Sequence, residues 1–424
     1  MRTTVLVGVA GKALEALTLV LLFTLVPRLL GPSDYGSFAV ALSLVTLASA
    51  ASSLGGPTWL SRFVPTVPVA DRPGLARALA ARSARWRIGI CVVAAVVATI
   101  LGFADPERFG AFTCLFAVLA LTLDVAATLV YQVGLALGRI GLWSMRYPIQ
   151  NAVLVASVPV LHARFGTEGA LAGIALSSGA ALAVGLAAVP AWRGLERATA
   201  LPVGAIRFAV VYGASGFFVQ LLHRGGVVLV ALLAGSQVEA GLAAVSIGVA
   251  LALTYVVWQA FMLELPRLAA GDATGERAEG SVRTLAWFAL CGAVPVAIIA
   301  AIALDDVIAR LAGEPFGDVG SSLGPALAIV PLAPLTSAAA QVSALRMRPL
   351  TRLLATAVGA VVFLGAAVVL VPGEAALGAT TALFLGTVAT AAVGAATFPD
   401  LLQRRFVAAS FLGVLLVLAA SRAG

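Results

Sequence analysis

The sequence predicts an all-α, polytopic membrane protein of about twelve transmembrane helices, arranged as two six-helix lobes. Three observations predict it. Apolar stretches follow one another from residue 5 to residue 398, most of them near the length needed to cross a bilayer. A hydrocarbon core of about 30 Å takes roughly 20 helical residues. The composition agrees: of 424 residues 61% are hydrophobic and 11% charged, with a mean hydropathy of +1.06, values of a lipid-embedded chain rather than of a large soluble core. The third is the placement of the charges, most of which fall between the stretches. Backbone amides in lipid must be bonded within their own segment, so the stretches are read as helices.

The first six spans are read at 5–30, 36–59, 88–104, 111–137, 147–162 and 169–190, and the second six at 208–233, 238–264, 282–304, 322–345, 350–371 and 376–398. The first has a charged start, but a tight turn and a second span follow at once, which marks a retained helix rather than a cleaved leader. Gly31-Pro32 ends it, since proline cannot continue a helix, and Ser33-Asp34 is suited to cap the next. The arginine-rich stretch 62–87 separates the second span from the third. The longest central connection, 191–207, divides the chain into an N-terminal lobe (1–200) and a C-terminal lobe (201–405). The remaining tail, 406–424, holds a short apolar run at 406–420, read either as a thirteenth span or as an interfacial tail.

A net charge of +8 would suggest nucleic acid in a soluble protein. Here 20 of the 27 basic residues fall in connections that share one side if the N-terminus is inside, among them the six arginines of 62–87. That is the positive-inside bias, and it implies a cytoplasmic N-terminus, with anionic membrane lipids as partners and no nucleic acid. Cys91, Cys114 and Cys291 all lie within spans, at spacings that fit neither a metal cluster nor a disulfide framework. No metal or cofactor is implied. A single lysine amid abundant alanine and glycine reads as a GC-rich bacterial genome, hence a bacterial cytoplasmic membrane.

The halves echo each other. Residues 29–36 read LLGPSDYG and lead into a helix ending at Arg62; residues 232–241 read LLAGSQVEAG and lead into one ending at Arg267. With an even number of spans in each half, the repeat is parallel, related by an axis along the membrane normal, as in transporters whose path runs between two lobes.

The segment Arg28-Leu29-Leu30-Gly31-Pro32-Ser33-Asp34-Tyr35-Gly36-Ser37-Phe38-Ala39 resembles the R-x-L-G-P-x-x-Y-G-x-[FY]-A turn after the first helix of polysaccharide flippases, in the multidrug/oligosaccharidyl-lipid/polysaccharide exporter (MOP) superfamily. Residues 212–270 are also similar to the start of that family's second half. The resemblance implies a flippase that carries a polyprenyl-diphosphate-linked oligosaccharide from the inner to the outer leaflet for cell-surface polysaccharide synthesis, with a polysaccharide polymerase and glycosyltransferases as possible partners. Many members carry an acid before the arginine of the seventh helix, where this chain has His223-Arg224.

Ionisable groups within spans are costly and mark candidate sites. On the first helix Gly8, Lys12, Glu15 and Thr18 share a face; Lys12 either pairs with Glu15 or meets a substrate phosphate. On the seventh, Tyr212, Gly216, Gln220, His223 and Arg224 form a second polar stripe, in which Arg224 either snorkels or faces an anion path. The fourth offers Asp124, Thr128 and Gln132, and the fifth Tyr147, Gln150 and Asn151. A diphosphate matches planar guanidinium groups, so substrate binding is read at Lys12, Arg224, Gln220, Tyr212, Arg62 and Arg146, the last two at the inner mouth. Asp124 and Glu15 are the carboxylates read as coupling the cycle to an ion, Asp124 being equally open to a structural pairing with an arginine.

An enzyme is disfavoured. The longest outer loop, 305–321, is short, and the chain has no nucleotide-binding glycine loop, zinc-ligand set or nucleophile elbow. The alternatives within the superfamily are a peptidoglycan lipid-precursor flippase, which has room for more spans than this chain, and a drug/cation antiporter. A membrane glycosyltransferase is the remaining one.

Overall fold

The computed structural model describes residues 2–53, 55–104, 111–189, 201–270, 276–400 and 402–422. Among these the regular structure is helical throughout: α1 (Arg2–Leu30), α2 (Pro32–Ser52), α3 (Gly56–Phe63), α4 (Arg72–Ala104), α5 (Ala111–Ala136), α6 (Ile140–Ala188), α7 (Ala205–Leu229), α8 (Gln237–Ala270), α9 (Glu276–Ala312), α10 (Gly320–Leu327), α11 (Ala333–Leu345), α12 (Pro349–Thr397) and α13 (Arg404–Ala420). A π turn, Val230–Ala234, extends α7. The fold is the all-α polytopic architecture that the apolar stretches imply.

Two long helices each fold back on themselves. In α6 the chain reverses at Gly166 (φ 58°, ψ −142°), and a methyl at Gly173 would lie 2.6 Å from Val158 while Gln150 bonds Ser178 across the two legs. In α12 it reverses at Ala375 (φ 44°, ψ −111°). The fifth and sixth spans are therefore the legs of α6, and the eleventh and twelfth those of α12. Two expected spans are broken. The second, 36–59, stops at Ser52 and resumes as α3, because Gly55 takes φ 80° and Pro57 cannot donate a helical bond. The tenth, 322–345, is interrupted by a 3-10 turn at Val330–Leu332 around Pro331.

The repeat is visible in the backbone. α6 and α12 are both 49 residues long, and each reverses at its twenty-seventh residue, Gly166 and Ala375. Each follows a residue of positive φ, Gly138 and Met347. The preceding segments, Ala111–Ala136 and Gly320–Leu345, are both 26 residues long. Glycines at matching places, Gly169 and Gly378, lie against the carbonyls of the matching Leu161 and Leu370.

By packing, the chain forms two compact units: residues 1–22 with 44–216, and residues 23–43 with 217–424. They depart from the halves of the sequence at one hairpin, 23–43, and at the start of α7. Within the second unit α13 runs beside α9 and in the same direction, with Phe406 on Trp287 (5.0 Å between rings) and Gly413 against Val294. Its end reaches Gly324 of α10 through Ser421.

Candidate functional site

The site begins with one face of α5. Asp124, Thr128 and Gln132 recur every four residues, so their side chains stack along that face. The first leg of α6 presents Arg146 and Gln150 to it with the same spacing. Arg146 Nη2 donates to Asp124 Oδ1 at 3.0 Å and to Thr128 Oγ1 at 2.6 Å. Gln150 Nε2 donates to the same Asp124 oxygen at 3.2 Å, and Ser49 of α2 donates to the other, Oδ2, at 2.7 Å. The carboxylate of α5 is thus held by two other helices, α6 and α2.

A second guanidinium adjoins it. Arg87 of α4 donates from Nε to Ser83 (2.9 Å), from Nη1 to the Val125 carbonyl (2.9 Å) and from Nη2 to Gln132 Oε1 (3.0 Å). Its bonds go to neutral groups while the charges of Arg146 and Asp124 both act on it. Arg87 is 2% and Arg146 3% exposed. Two buried guanidiniums therefore share the neighbourhood of Asp124 in a low-dielectric interior, where charge is costly and interactions are strong.

The repeat supplies an internal comparison. Shifting by the interval that separates α6 from α12 places Ala333 where Asp124 stands, Ser337 for Thr128, Ala355 for Arg146 and Gly359 for Gln150. The amide persists, as Gln132 and Gln341, both buried, and a hydroxyl, as Thr128 and Ser337, but neither charge does. Helices of the same lengths, with the same reversals, thus pack in the second repeat around alanine and glycine. The second repeat thus keeps this fold without these charges.

Glu15 is buried on α1; one turn on, Thr18 bonds the Glu15 carbonyl and accepts from Asn151 (3.3 Å), the neighbour of Gln150. The Lys12 side chain lies outside the described residues, as do residues 190–200 of the central connection. Tyr212 is buried, stacked on Phe208 (5.2 Å, 14°), which meets Phe63 edge-on (5.6 Å) beside the buried Arg62. Gln220 and Arg224 are half-buried on the later part of α7, within the second unit, where the Arg224 charge acts on Tyr35. The stripe on α7 is thus divided between the two units. Arg146 is buried in the first unit, on Asp124.

Arg87 escaped the sequence reading, which counted it with the topological arginines of 62–87. Its signal was present: Ser83 and Arg87 are four residues apart, on one face where α4 turns apolar. A separate ion pair stands on the second unit, where Arg346 is held by Glu279 through two bonds of 2.7 and 2.8 Å. That pairing raises the Arg346 pKa above the usual guanidinium value, so it stays charged.

The fold is that of solved transporters. The chain superposes on the eukaryotic MATE transporter AtDTX14 with a TM-score of 0.61 at 15% identity, over 98% of this chain and 100% of that one. For a mutant of the Vibrio cholerae MATE transporter VcmN the TM-score is 0.60 at 14% identity, over 100% and 99%. For the lipid II flippase MurJ in an inward closed conformation it is 0.59 at 10% identity, over 100% and 98%. No known family profile and no curated protein matches the sequence. These neighbours are transporters and flippases of the MOP superfamily, the group that residues 28–39 resemble.

Proposed function

We propose that this chain is a flippase for a polyprenyl-diphosphate-linked oligosaccharide, working by alternating access in the cytoplasmic membrane with its N-terminus inside. The observation that carries the reading is the Asp124–Arg146–Arg87 cluster, buried in a transporter fold whose second repeat does without it. A carboxylate and a diphosphate are both anions that a guanidinium binds through paired hydrogen bonds. Asp124 and the substrate headgroup therefore compete for Arg146. Protonation of Asp124, or a cation bound beside it, weakens its hold and frees the guanidinium for the diphosphate. Lys12, Glu15, Arg62, Tyr212, Gln220 and Arg224 line the rest of the route in this reading, and the lobes 1–200 and 201–405 rock about the connection between them. The resemblance of residues 28–39 to polysaccharide flippases and the fold shared with a lipid II flippase support a lipid-linked substrate.

The test is reconstitution in proteoliposomes with a fluorescent prenyl-diphosphate-linked N-acetylglucosamine, scored by quenching from outside. Wild type is expected to move the probe between leaflets, and Arg146→Ala and Arg224→Ala to slow it at least tenfold at normal protein levels. Movement at the protein-free rate by the wild type overturns the reading. A second reading, cation-coupled export of an organic cation, is favoured by the carboxylate at Asp124 and by the two MATE neighbours. Proton-driven uptake of ethidium in the same vesicles, with no lipid movement, would select it.

A further inference from the structure

The two legs of α6 leave a groove on the surface of the first unit. It holds about 500 Å³ and is lined by Ala152, Val153, Ala156, Val160 and Leu161 of the first leg and Leu176 of the second. Ser157, the polar member of the lining, spends its hydroxyl on the Val153 carbonyl at 2.6 Å and so presents carbon to the groove. Val160 is 56% and Leu176 53% exposed. On a helix that spans the membrane, such exposed apolar side chains meet lipid. Spread over the roughly 14 Å of helix from Ala152 to Leu161, the volume gives a cross-section of about 36 Å². A helix about 10 Å across needs roughly 80 Å². The groove therefore takes a single chain rather than a neighbouring helix.

Its inner end adjoins the buried cluster. Gln150 and Asn151, both buried, immediately precede Ala152 and Val153. Gln150 Nε2 donates across the legs to Ser178 and also to Asp124 Oδ1, the oxygen that Arg146 holds. One side chain thus stands between an apolar groove open to lipid and a guanidinium suited to a phosphate. The second repeat is built differently at this place. Gly359 replaces Gln150, and a methyl there would lie 2.7 Å from the Gly386 carbonyl oxygen, so the legs of α12 meet backbone to backbone. Val361, 71% exposed, stands where the first repeat has Ala152. In α6 the Gln150 side chain occupies the seam, and the alanines leave notches one turn apart along it.

We propose that this groove seats the prenyl chain of the lipid-linked substrate, so that one molecule binds with its diphosphate on Arg146 and its chain along α6. The inference deepens the flippase reading and rests on it. When the diphosphate replaces Asp124 on Arg146, it also takes the Nε2 donor of Gln150, which fixes the junction of head and chain at the mouth of the groove. Methyl branches fill the notches at Ala152 and Ala156, contacts that a straight acyl chain forgoes. With the N-terminus inside, α6 runs outward from Ile140, and the head at Arg146 lies inward of the chain. That is the orientation of a lipid still in the inner leaflet.

The test uses the full chain in proteoliposomes with a long-chain prenyl-diphosphate-linked N-acetylglucosamine that carries a diazirine on its chain. Irradiation is expected to label residues 152–161 and Leu176. Excess unlabelled prenyl lipid should reduce that label at least tenfold, and excess phosphatidylglycerol should leave it unchanged. Ala152→Phe with Ala156→Phe fills the groove from two exposed positions; it is expected to abolish the label and to slow movement of the probe at least tenfold. Val361→Phe, the matching place in the second repeat, is expected to change neither. Should the filled variant fail to fold, the competition on wild type still decides. Label as strong on the lipid-facing side of α4 as on α6, or label displaced equally by phosphatidylglycerol, makes the groove an ordinary lipid contact and overturns the inference. Wild-type label and transport in the filled variant do the same. Competed label in a protein that moves no probe would leave the chain site standing and remove the flippase reading alone; movement of the probe without competed label would remove the chain site alone.

Discussion

Asp124 and Arg146 hold each other in the interior of the first unit at 3.0 Å, and the second repeat shows alanine at both places. These facts give opposite expectations for single and double substitutions. Removing one partner of a buried pair leaves the other charge uncompensated, at about 3–5 kcal/mol, whereas removing both often costs little. Arg146→Ala alone should therefore lower the melting temperature of the purified protein clearly. The Asp124→Ala, Arg146→Ala double variant should recover most of the loss, since it recreates the packing of the second repeat. Transport should not return with stability. A double variant that melts like wild type and flips the probe like wild type would make the cluster a structural ornament. Arg87→Gln separates the neighbouring guanidinium in the same way, because an amide can still reach Gln132 but brings no charge. It is expected to fold and to change the pH dependence of transport rather than the amount of protein.

At the scale of the element, α13 gives a sharp expectation. It is 17 residues long, about 25 Å of helix, and runs in the direction of α9 from Trp287 past Val294. A helix parallel to a spanning neighbour over that length ends on the opposite side from its start. Reporters fused at Gln403 and after Ser421 should accordingly mark opposite sides of the membrane; agreement between them would make α13 interfacial. The sequence left this segment open because a short apolar run has the same composition in either place; its parallel packing on α9 is what separates the two readings. Other elements divide similarly. Span existence was readable from apolar length alone. The break at Gly55 was written in Gly55-Gly56-Pro57, yet hidden inside an apolar run, and the reversal at Ala375 requires a positive φ that no glycine announces. Asp124 was readable because a carboxylate within lipid is costly. Which arginine pairs with it was not readable, because an arginine near a span end obeys the positive-inside bias equally well whether it faces water or, like Arg146, turns inward.

For the whole molecule, orientation and energy source are linked. If the arginine-rich connections face the cytoplasm, reporters at Arg77 will read inside and at Gly313 outside, and the reverse pattern would invert the direction of transport. With that orientation, a proton entering from the outer side and leaving inward moves down both gradients, and one charge crossing 100 mV supplies about 2.3 kcal/mol. In the proposed mechanism Asp124 passes that energy on, because neutralising it removes the anion that holds Arg146. Asp124→Asn keeps the carboxylate's shape and a hydrogen bond with Ser49 but fixes the side chain as neutral. It should therefore flip the probe more slowly and at a rate that no longer follows the imposed pH or voltage gradient. Glu15→Gln, one helix away and linked toward the site through Thr18 and Asn151, should lower the rate while keeping the gradient dependence. Measuring both variants across the same series of gradients decides where coupling lies. If Asp124→Asn follows the gradient as wild type does and Glu15→Gln does not, the coupling carboxylate is on α1 and Asp124 only anchors Arg146.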